Sequence, residues 1–305
     1  MTAKVISFIN MKGGVSKTTL AKEFALHFSE RENDRKRVLL IDVDPQMNLT
    51  QSIFSIYGYA PSQDIANKIE QEKQGQEDSS QGRSGNRRKS LKITNASISA
   101  IFSGNIAGEV EYEKAAIDIT DFLSIIPGEL GIDFLKRNLD SSSIEKGIYD
   151  FIDQHGLKEK FDYIFIDCPP TYSSYTVGAL LASDHFIIPV RPEAYSILGI
   201  DMLLKVVDSV QKSNRLYFKD SGLSNLGIVF TSIREKPTIG ITKLIDDIIS
   251  SEAFADVPKF KQRFLYNSEF PKNLAYNSMM SHSEKAKKNI KELVEEFEQK
   301  LAEIN

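Results

Sequence analysis

Cysteine is nearly absent from this sequence of 305 residues, in which Cys168 is the only one. A lone cysteine cannot form a disulfide within the chain, and it has no second cysteine with which to hold a metal ion or an iron–sulfur cluster. The four histidines, His27, His155, His185 and His282, are scattered without the spacing of metal ligands. We therefore interpret the histidines as structural or surface residues.

Long apolar segments and an excess of basic charge are also missing. No continuous apolar run approaches the length of a bilayer span, and the chain begins with a predicted core strand instead of a signal sequence. We therefore expect a cytoplasmic protein. The 42 acidic residues outnumber the 38 basic ones and give a formal charge of −4, so any contact with nucleic acid must come from a local basic patch.

Hydrophobic residues make up 41% of the sequence and include 18 phenylalanines, which is ample for a packed core and excludes disorder of the whole chain. Apolar strand patterns alternate with segments of helical periodicity. This alternation predicts an α/β fold, a doubly wound and mostly parallel sheet with helices on both faces. The predicted strands are Val5–Ile9, Val38–Asp44, Asp121–Gly128, Phe161–Asp167, His185–Val190 and Leu226–Thr231. Predicted helices include Ile98–Phe102, Ile132–Leu139, Ile144–His155 and Ile239–Ser251, and we expect one domain over residues 1–305.

The stretch from Met11 to Thr19 lies between the first predicted strand and a segment with helical spacing of apolar residues. A strand, a glycine-containing turn and a helix in this order are typical of a phosphate-binding loop. The N–H groups of such a loop and the positive end of its helix face the same point, where they stabilise an anion. The candidate nucleotide-binding residues are Lys12, Gly13, Gly14, Val15, Ser16, Lys17, Thr18 and Thr19.

Within this stretch, Lys17 would bring an ammonium to the outer phosphates of ATP, and Thr18 would offer its hydroxyl to the accompanying Mg²⁺. Met11 and Ser16 occupy positions where the strict phosphate-loop pattern has glycine. Because glycine adopts a positive φ freely, a serine immediately before Lys17 would strain the backbone or widen the loop. We expect slow hydrolysis for this reason, although the Ser16 hydroxyl could instead bond a phosphate oxygen.

Acidic residues follow two of the predicted buried strands. Asp42 and Asp44 end the second strand, and Asp167 follows a stretch of five residues of which four are apolar. Ligands of an open α/β sheet bind outside the carboxyl ends of its strands, so these carboxylates belong beside the phosphate loop. The candidate metal-binding residues are Thr18, Asp42 and Asp167, with Asp42 acting through water.

The segment from about 59 to 94 differs in composition from the rest of the chain. Residues 74–89 contain no apolar side chain, so the segment cannot bury enough surface to offset the entropy of ordering it. We interpret residues 59–94 as a flexible polar insertion. Its basic residues, Arg83, Arg87, Arg88 and Lys89, fit a solvated loop better than an arm that binds nucleic acid.

Three phrases of the sequence resemble the ParA/MinD family of ATPases, whose phosphate loop is a deviant Walker A motif. They are Lys12-Gly13-Gly14-Val15-Ser16-Lys17-Thr18-Thr19, Asp44-Pro45-Gln46-Met47-Asn48-Leu49-Thr50 and Asp167-Cys168-Pro169-Pro170. The resemblance implies a P-loop NTPase fold, in which Lys12 reaches the nucleotide of a partner subunit and Asp44 orients the water that attacks the γ-phosphate. Lys12, Lys17 and Asp44 are therefore the candidate catalytic residues. The resemblance of Asp167-Cys168-Pro169-Pro170 to the family pattern also implies that Cys168 is a small buried residue and not a nucleophile.

The last third of the chain resembles the family less closely. Ser268-Glu269-Phe270-Pro271 is similar to the family's Ser-Glu-Ala-Pro, which places Arg263 at an arginine of the family pattern. Gln262 stands where relatives have a proline that helps form the adenine pocket. The final helix follows a predicted capping box from Ser281 to Glu284 and is acidic on its polar side. Anionic lipid would repel that side, so no membrane partner is expected.

Basic residues of the last third form the candidate DNA-binding patch, which consists of Lys259, Lys261, Arg263 and Lys272. Arg234 and Lys236 form a second cluster. The resemblance implies an ATP-dependent homodimer that binds DNA without sequence preference, associates with the nucleoid and is stimulated by a ParB-like partner. Such a protein would act in the partition or positioning of a plasmid or chromosome.

Two alternatives stay open at this stage. The first is a metabolic enzyme of the same superfamily, such as a dethiobiotin-synthetase-like ligase that uses ATP to phosphorylate a small carboxylate. The second is a relative that binds nucleotide but barely hydrolyses it, since Ser16 departs from the family pattern. At the level of the motifs, the remaining possibilities are a glycine-containing turn with solvated lysines and an acidic strand end at Asp44 that only caps the next turn.

Overall fold

The computed structural model describes residues 2–77, 90–107, 110–130, 141–218 and 222–304. Its strands are β1 (Lys4–Phe8), β2 (Val38–Asp42), β3 (Tyr59–Ala60), β4 (Lys92–Ile93), β5 (Ile117–Thr120), β6 (Leu123–Ile126), β7 (Tyr163–Asp167), β8 (His185–Val190), β9 (Ser224–Ile233) and β10 (Phe264–Leu265). Its helices are α1 (Lys17–Glu30), α2 (Asn48–Tyr57), α3 (Gln63–Glu77), α4 (Ile98–Ala107), α5 (Tyr112–Ala115), α6 (Ser141–Gln154), α7 (Leu157–Lys160), α8 (Ser174–Ala182), α9 (Ser196–Ser213), α10 (Ile239–Ile249) and α11 (Glu284–Ile304), with a 3₁₀ turn at Glu252–Phe254.

Eight strands form one sheet in the order β10-β9-β8-β1-β7-β2-β6-β5. Neighbouring strands are parallel throughout except for β5, which pairs antiparallel with β6 at one edge. The predicted α/β fold with a mostly parallel sheet is confirmed. β5 was not among the predicted strands, because four residues with alternating polarity carry only a weak strand signal at the edge of a sheet.

The central strands are buried on both faces. Every residue of β2 and β8 is buried, as are all but the first residue of β1 and β7. Successive side chains enter opposite layers: Leu39 and Ile41 belong to one apolar cluster, and Val38 and Leu40 to the other. Helices cover both layers, which explains why these strands are nearly continuous apolar runs.

Aromatic rings join the helix behind the phosphate loop to the C-terminal helix. The ring of Phe24 in α1 lies 5.4 Å from that of Phe297 in α11 and 5.7 Å from that of Phe8 in β1, between centroids. Phe28 contacts Phe297 at 5.9 Å. Edge-to-face pairs of this kind stabilise packing by about 0.5–1.5 kcal/mol each. They hold α1 against the sheet and so fix the start of the helix at the end of β1.

The interval 59–94 contains more regular structure than its composition predicts. Residues 59 and 60 pair in parallel with residues 92 and 93, and α3 runs from Gln63 to Glu77. Ala66 of α3 is buried. Both ends of the interval thus contain regular secondary structure, supported by local hydrogen bonds and one buried contact, and the flexibility of the insertion stays a prediction. The basic residues at 83 and 87–89 lie outside the described residues.

Three further predictions concern helices. The C-terminal helix begins at Glu284, and Ser283 accepts the Ala286 N–H at 3.2 Å through its hydroxyl. Ser283 and not Ser281 is thus the N-cap residue, and the predicted capping box is wrong by two positions. The predicted helix over residues 132–139 lies outside the described part of the chain. Among the described helices, none combines the length and the apolar character that a bilayer span requires.

Candidate nucleotide site

The phosphate loop connects the carboxyl end of β1 to the start of α1. Gly14 has a φ of +72° and Ser16 a φ of +67°, so the backbone enters the left-handed region at two positions of the loop. The loop forms part of a cleft of about 540 Å³. Residues Gly13 to Thr19 line this cleft together with Asp44. The structure therefore brings the predicted phosphate-binding residues together, with the exception of the lysine at position 12.

Lys17 is the first residue of α1 and is 6% exposed. Its ammonium donates to the carbonyl of Lys12 at 3.0 Å. Burial lowers the pKa of Lys17, while the carboxylates of Asp167 and Asp44 act in the opposite direction. An ammonium in a partly dehydrated cleft attracts an anion more strongly than one in open water. The position suits the binding of phosphate.

Ser16 has the strained backbone conformation that its place before Lys17 predicts. Its φ of +67° lies in the left-handed region, which costs a residue other than glycine on the order of 1–3 kcal/mol. The hydroxyl of Ser16 lies 3.2 Å from that of Ser232 at the end of β9. Ser232 also has a positive φ, +57°, and it lines the same cleft. No sequence pattern pointed to Ser232, because 216 positions separate the two serines.

Asp42 and Asp167 end the neighbouring strands β2 and β7 and stand opposite each other in register. Asp42 accepts hydrogen bonds from the Thr50 hydroxyl at 2.7 Å, the Thr50 N–H at 2.9 Å and the Asp44 N–H at 3.2 Å. Burial raises the pKa of Asp42 to about 6, against the effect of these donors. Gly128 packs closely against this carboxylate, since a Cβ atom at Gly128 would lie 3.1 Å from Cγ of Asp42 and would require the Asp42 side chain to shift.

Asp167 is fully buried, and neither of its carboxylate oxygens has a hydrogen-bond partner among the described residues. Burial raises the pKa of Asp167 well above its usual range, and the Asp42 carboxylate raises it further, whereas the Lys17 ammonium acts in the opposite direction. A buried carboxylate without donors is costly unless a cation compensates it. The oxygen ligands present fit Mg²⁺, a hard cation.

The protein would supply only part of such a magnesium shell. Within the described ranges, no three His, Cys, Asp or Glu side chains converge as a metal site. Phosphate oxygens and water would have to complete the coordination, which is the usual arrangement for Mg²⁺ bound with a nucleotide. Thr18 and Asp167, with Asp42 behind them, are the residues that would hold the ion or its waters. Cys168 is fully buried, and burial raises the pKa of its thiol to about 12, so it does not act as a nucleophile.

Asp44 lies just beyond β2, in the loop that leads to α2. One of its carboxylate oxygens accepts the Gln46 N–H at 2.9 Å, and its carbonyl accepts the Met47 N–H at 2.9 Å. Asp44 and Gln46 both line the cleft. The turn therefore fixes the carboxylate at the wall of the site, where a ligand or a water molecule in the cleft can reach it.

Lys12 does not line the cleft of its own chain. Its ammonium forms an ion pair with the carboxylate of Glu193, in the loop after β8, and its N–H donates to Asn10 at 3.0 Å. The side chains of Lys12 and Glu193 are 42% and 39% exposed. Arg191 bonds the other carboxylate oxygen of Glu193 at 3.0 Å. The structure thus separates the two lysines of the motif, one turned into the cleft and the other toward the surface.

The cleft is also lined by aromatic and apolar side chains that were not among the predicted site residues. They are Phe264, Leu265, Tyr266, Phe270, Pro271 and Leu274, together with the amide of Asn267. Lys22 of α1 anchors this segment, because its ammonium donates to the Tyr276 carbonyl at 2.6 Å and to the Ser52 hydroxyl at 3.1 Å. Rings and apolar groups of this kind suit a flat heterocyclic base. Only the adjacent resemblance to Ser-Glu-Ala-Pro pointed to this segment.

The four predicted DNA-binding residues flank β10, with Lys259, Lys261 and Arg263 before it and Lys272 after it. The ammonium of Lys259 donates to the carbonyl of Val257 at 2.9 Å and is therefore engaged within its own loop. Lys272 is exposed and pairs with Glu269 at 3.3 Å. Lys261 is exposed and Arg263 is half-buried, so these two and Lys272 are the members of the patch that an external partner could reach.

Comparison with known proteins identifies the family of this chain. The AAA domain family matches residues 3–219, which include the phosphate loop and the three aspartates. An uncharacterized protein of Methanocaldococcus jannaschii is 30% identical over 236 residues, 77% of this chain and 75% of that protein. The sporulation initiation inhibitor protein Soj of Bacillus subtilis is 26% identical over 280 residues, 92% of this chain and 88% of that protein. The chain belongs to the ParA/MinD family.

Solved structures share the fold of nearly the full chain. McdA of Cyanothece, in a complex with ATP, has a TM-score of 0.68 at 18% identity and covers 99% of this chain and 97% of its own. A putative plasmid partition protein of Borrelia burgdorferi bound to AMPPNP gives 0.67 at 20% identity, with 98% and 100% covered. Cobyrinic acid a,c-diamide synthase of Mycobacterium smegmatis, with an ATP analog and magnesium, gives 0.60 at 22% identity, with 86% and 84% covered. At these identities the likeness concerns the fold alone.

Proposed function

We propose that this protein is an ATPase whose ATP-bound form dimerises, binds DNA without sequence preference and releases it after slow hydrolysis. The observation that carries the proposal is the cleft in which the phosphate loop, buried Lys17 and Asp44 meet, within a member of the ParA/MinD family. The relatives include the partition protein of Borrelia burgdorferi and Soj. We infer a role in the partition or positioning of a plasmid or chromosome, and nucleoid association in the ATP state.

The polar groups in and beside the phosphate loop have distinct tasks in this proposal. The loop N–H groups, the start of α1 and Lys17 bind the phosphates of ATP. Thr18 and Asp167, with Asp42 behind them, would hold Mg²⁺ or its waters, and a bound ion would neutralise part of the negative charge of the phosphates. Asp44 holds a water molecule in position for attack on the terminal phosphate, so that hydrolysis depends on orientation more than on covalent chemistry.

The surface residues complete the proposed cycle. Lys12 leaves Glu193 and contacts the nucleotide bound by a second copy of the chain, which couples ATP binding to dimerisation. Arg263, Lys261 and Lys272 contact the phosphate backbone of DNA, and a dimer presents two such patches. A ParB-like partner stimulates hydrolysis and resets the cycle.

A metabolic ATP-dependent enzyme is the second candidate. The fold likeness to cobyrinic acid a,c-diamide synthase supports it, since that enzyme shares the architecture at a TM-score of 0.60. A cleft that served such chemistry would accept a small carboxylate substrate beside ATP. ATP turnover would then respond to a metabolite and not to DNA.

A DNA-binding titration without nucleotide, with ADP and with AMPPNP tests the main proposal. Labelled duplexes of two unrelated sequences should bind with AMPPNP and Mg²⁺ and bind much more weakly in the other two states. Lys17→Ala should abolish nucleotide binding and, with it, the effect of AMPPNP on DNA binding. Equal DNA affinity in all three states would refute the nucleotide switch. ATP turnover that rises with a small carboxylate and ignores DNA would establish the metabolic alternative.

A further inference from the structure

The carboxyl end of β9 contacts the phosphate loop through two successive hydroxyl groups. The buried hydroxyl of Thr231 donates to the carbonyl of Val15 at 2.9 Å. The hydroxyl of Ser232, the next residue, lies 3.2 Å from that of Ser16. The first of these contacts fixes the loop backbone, and the second joins two side chains that both line the cleft.

An irregularity of the sheet directs Ser232 toward the loop. Phe264 of β10 is paired with Thr231 and Leu265 with Ile233, so Ser232 is the extra residue of a bulge between β9 and β10. Its φ of +57° fits this position. A β-bulge re-aims one side chain of a strand, and such features are common beside functional sites. The side chain thus turned out of the ladder is the one that contacts Ser16.

Both serines have a backbone conformation that serine seldom adopts, and their hydroxyls contact each other at the wall of an anion-binding cleft. A hydroxyl group carries one donor hydrogen and two acceptor lone pairs. When one of the two serines donates to the other, the hydrogen of the second hydroxyl is left for a different acceptor. The phosphate oxygens of a nucleotide bound in this cleft would be suitable acceptors for that hydrogen.

We propose that Ser16 and Ser232 form a hydroxyl pair that gives the nucleotide's phosphates one additional hydrogen-bond donor. Ser232 is then a phosphate-binding residue contributed by a strand more than two hundred positions from the loop. The inference rests on the proposed binding of ATP. It also gives the serine before Lys17 a task, since its hydroxyl has a partner only because β9 bulges at Ser232.

The test is a double-mutant cycle with Ser16→Ala, Ser232→Ala and the double variant, measured by calorimetric titration with AMPPNP and Mg²⁺. Each single variant should weaken binding about tenfold to a hundredfold, as expected for one hydrogen bond to a charged acceptor. Because either change breaks the pair, the double variant should bind nearly as well as the weaker single variant. Inorganic pyrophosphate, which has neither base nor ribose, should show the same order of affinities.

Two further variants separate the hydroxyl from the backbone and from the fold. Ser232→Gly keeps a backbone suited to positive φ but removes the hydroxyl, so it should weaken binding as much as Ser232→Ala. Ser224→Ala removes a hydroxyl from the other end of β9 and should leave the affinity unchanged. Melting temperatures without nucleotide, unchanged within about 2 °C among the variants with reduced affinity, would show that the fold is intact.

Several results would overturn the proposal. Wild-type affinity in Ser232→Ala, or in Ser232→Gly alone, would leave the hydroxyl without a role. Fully additive losses of affinity in the double variant would mean that the serines act separately. A loss of affinity confined to AMPPNP and absent with pyrophosphate would assign the contact to the base or ribose. A wild-type protein that binds no AMPPNP would overturn the proposed function along with the pair, whereas normal wild-type binding with a silent Ser232 would overturn the pair alone.

Discussion

The ammonium of Lys12 is paired with the carboxylate of Glu193, 181 positions further along the chain. Arg191 bonds the same carboxylate at 3.0 Å, so one acidic group holds two cations at the rim of the nucleotide cleft. The Lys12 side chain lowers the pKa of Glu193, which keeps this carboxylate ionised. A lysine that is to serve a neighbouring subunit must exchange this partner for a phosphate of the neighbour's nucleotide.

Lys12→Ala should prevent ATP-dependent dimerisation while leaving the affinity of the monomer for AMPPNP largely intact. The reason is that Lys12 does not line its own cleft, where Lys17 supplies the charge. Light scattering with AMPPNP and Mg²⁺ measures the dimer, and calorimetry measures the nucleotide. Glu193→Gln should favour the dimer by up to about fivefold, since exposed ion pairs contribute at most about 1 kcal/mol.

The matched control is Asp208→Asn, which breaks an exposed ion pair with Lys212 within α9. It should leave dimerisation unchanged. A Lys12→Ala protein that dimerises normally with AMPPNP would return this lysine to the role of a surface charge.

Asp44→Ala should stop hydrolysis without stopping binding. The carboxylate lies at the wall of the cleft and is held by the Gln46 N–H, so it can orient a water molecule but is not needed to hold phosphates. We expect turnover to fall at least about a hundredfold while AMPPNP affinity changes little. Asp247→Ala, at an exposed acid of α10, is the control. Normal turnover in Asp44→Ala would assign the water to another residue.

Asp167→Asn should make the nucleotide-free protein more stable at neutral pH while abolishing magnesium-dependent turnover. The ordinary pKa of an aspartate, 3.8, is raised in the folded protein, mainly by burial. The folded state therefore keeps its proton when the unfolded state has lost it, and this group's contribution to the free energy of unfolding falls as pH rises from about 4 through the raised pKa.

Melting curves at pH 5 and pH 7.5, in EDTA, measure this effect. The gain in melting temperature of Asp167→Asn should be smaller at pH 5, where a larger fraction of Asp167 is protonated, and should reach roughly 2–6 °C at pH 7.5. AMPPNP with Mg²⁺ should stabilise the wild type and not the variant. A variant that is less stable than the wild type at both pH values would show that the Asp167 carboxylate is satisfied within the protein.

Arg263→Glu should weaken the binding of all DNA sequences alike in the presence of AMPPNP. Removing one ionic bond between the protein and a DNA phosphate should flatten the slope of log affinity against log salt concentration by about 0.9. Lys212→Glu, at an exposed lysine of α9, changes the net charge equally and serves as the control. Equal effects of the two reversals on affinity and slope would attribute binding to overall charge, and an unchanged slope in Arg263→Glu would exclude this patch.

The local parts of the site could be predicted from the sequence. The phosphate loop, the two strands that end in Asp42 and Asp167, and the mostly parallel sheet all follow from short patterns, because buried parallel strands are continuous apolar runs and their carboxyl ends gather in one place. Residues 59–77 show that composition alone does not predict secondary structure. This polar segment contains α3, and residues 59 and 60, just before the helix, pair with residues 92 and 93.

Short sequence patterns define the chemistry of each segment: a loop for phosphate, acids for Mg²⁺ and water, and a second lysine beside the loop. Tertiary packing selects which of these groups meet. Lys12 with Glu193, Ser16 with Ser232, and the ring-lined part of the cleft all join segments far apart in sequence. Their pairing depends on the order of the strands in the sheet and on a bulge in β9. No short-range pattern encodes either feature, because both arise when separate segments pack against one another.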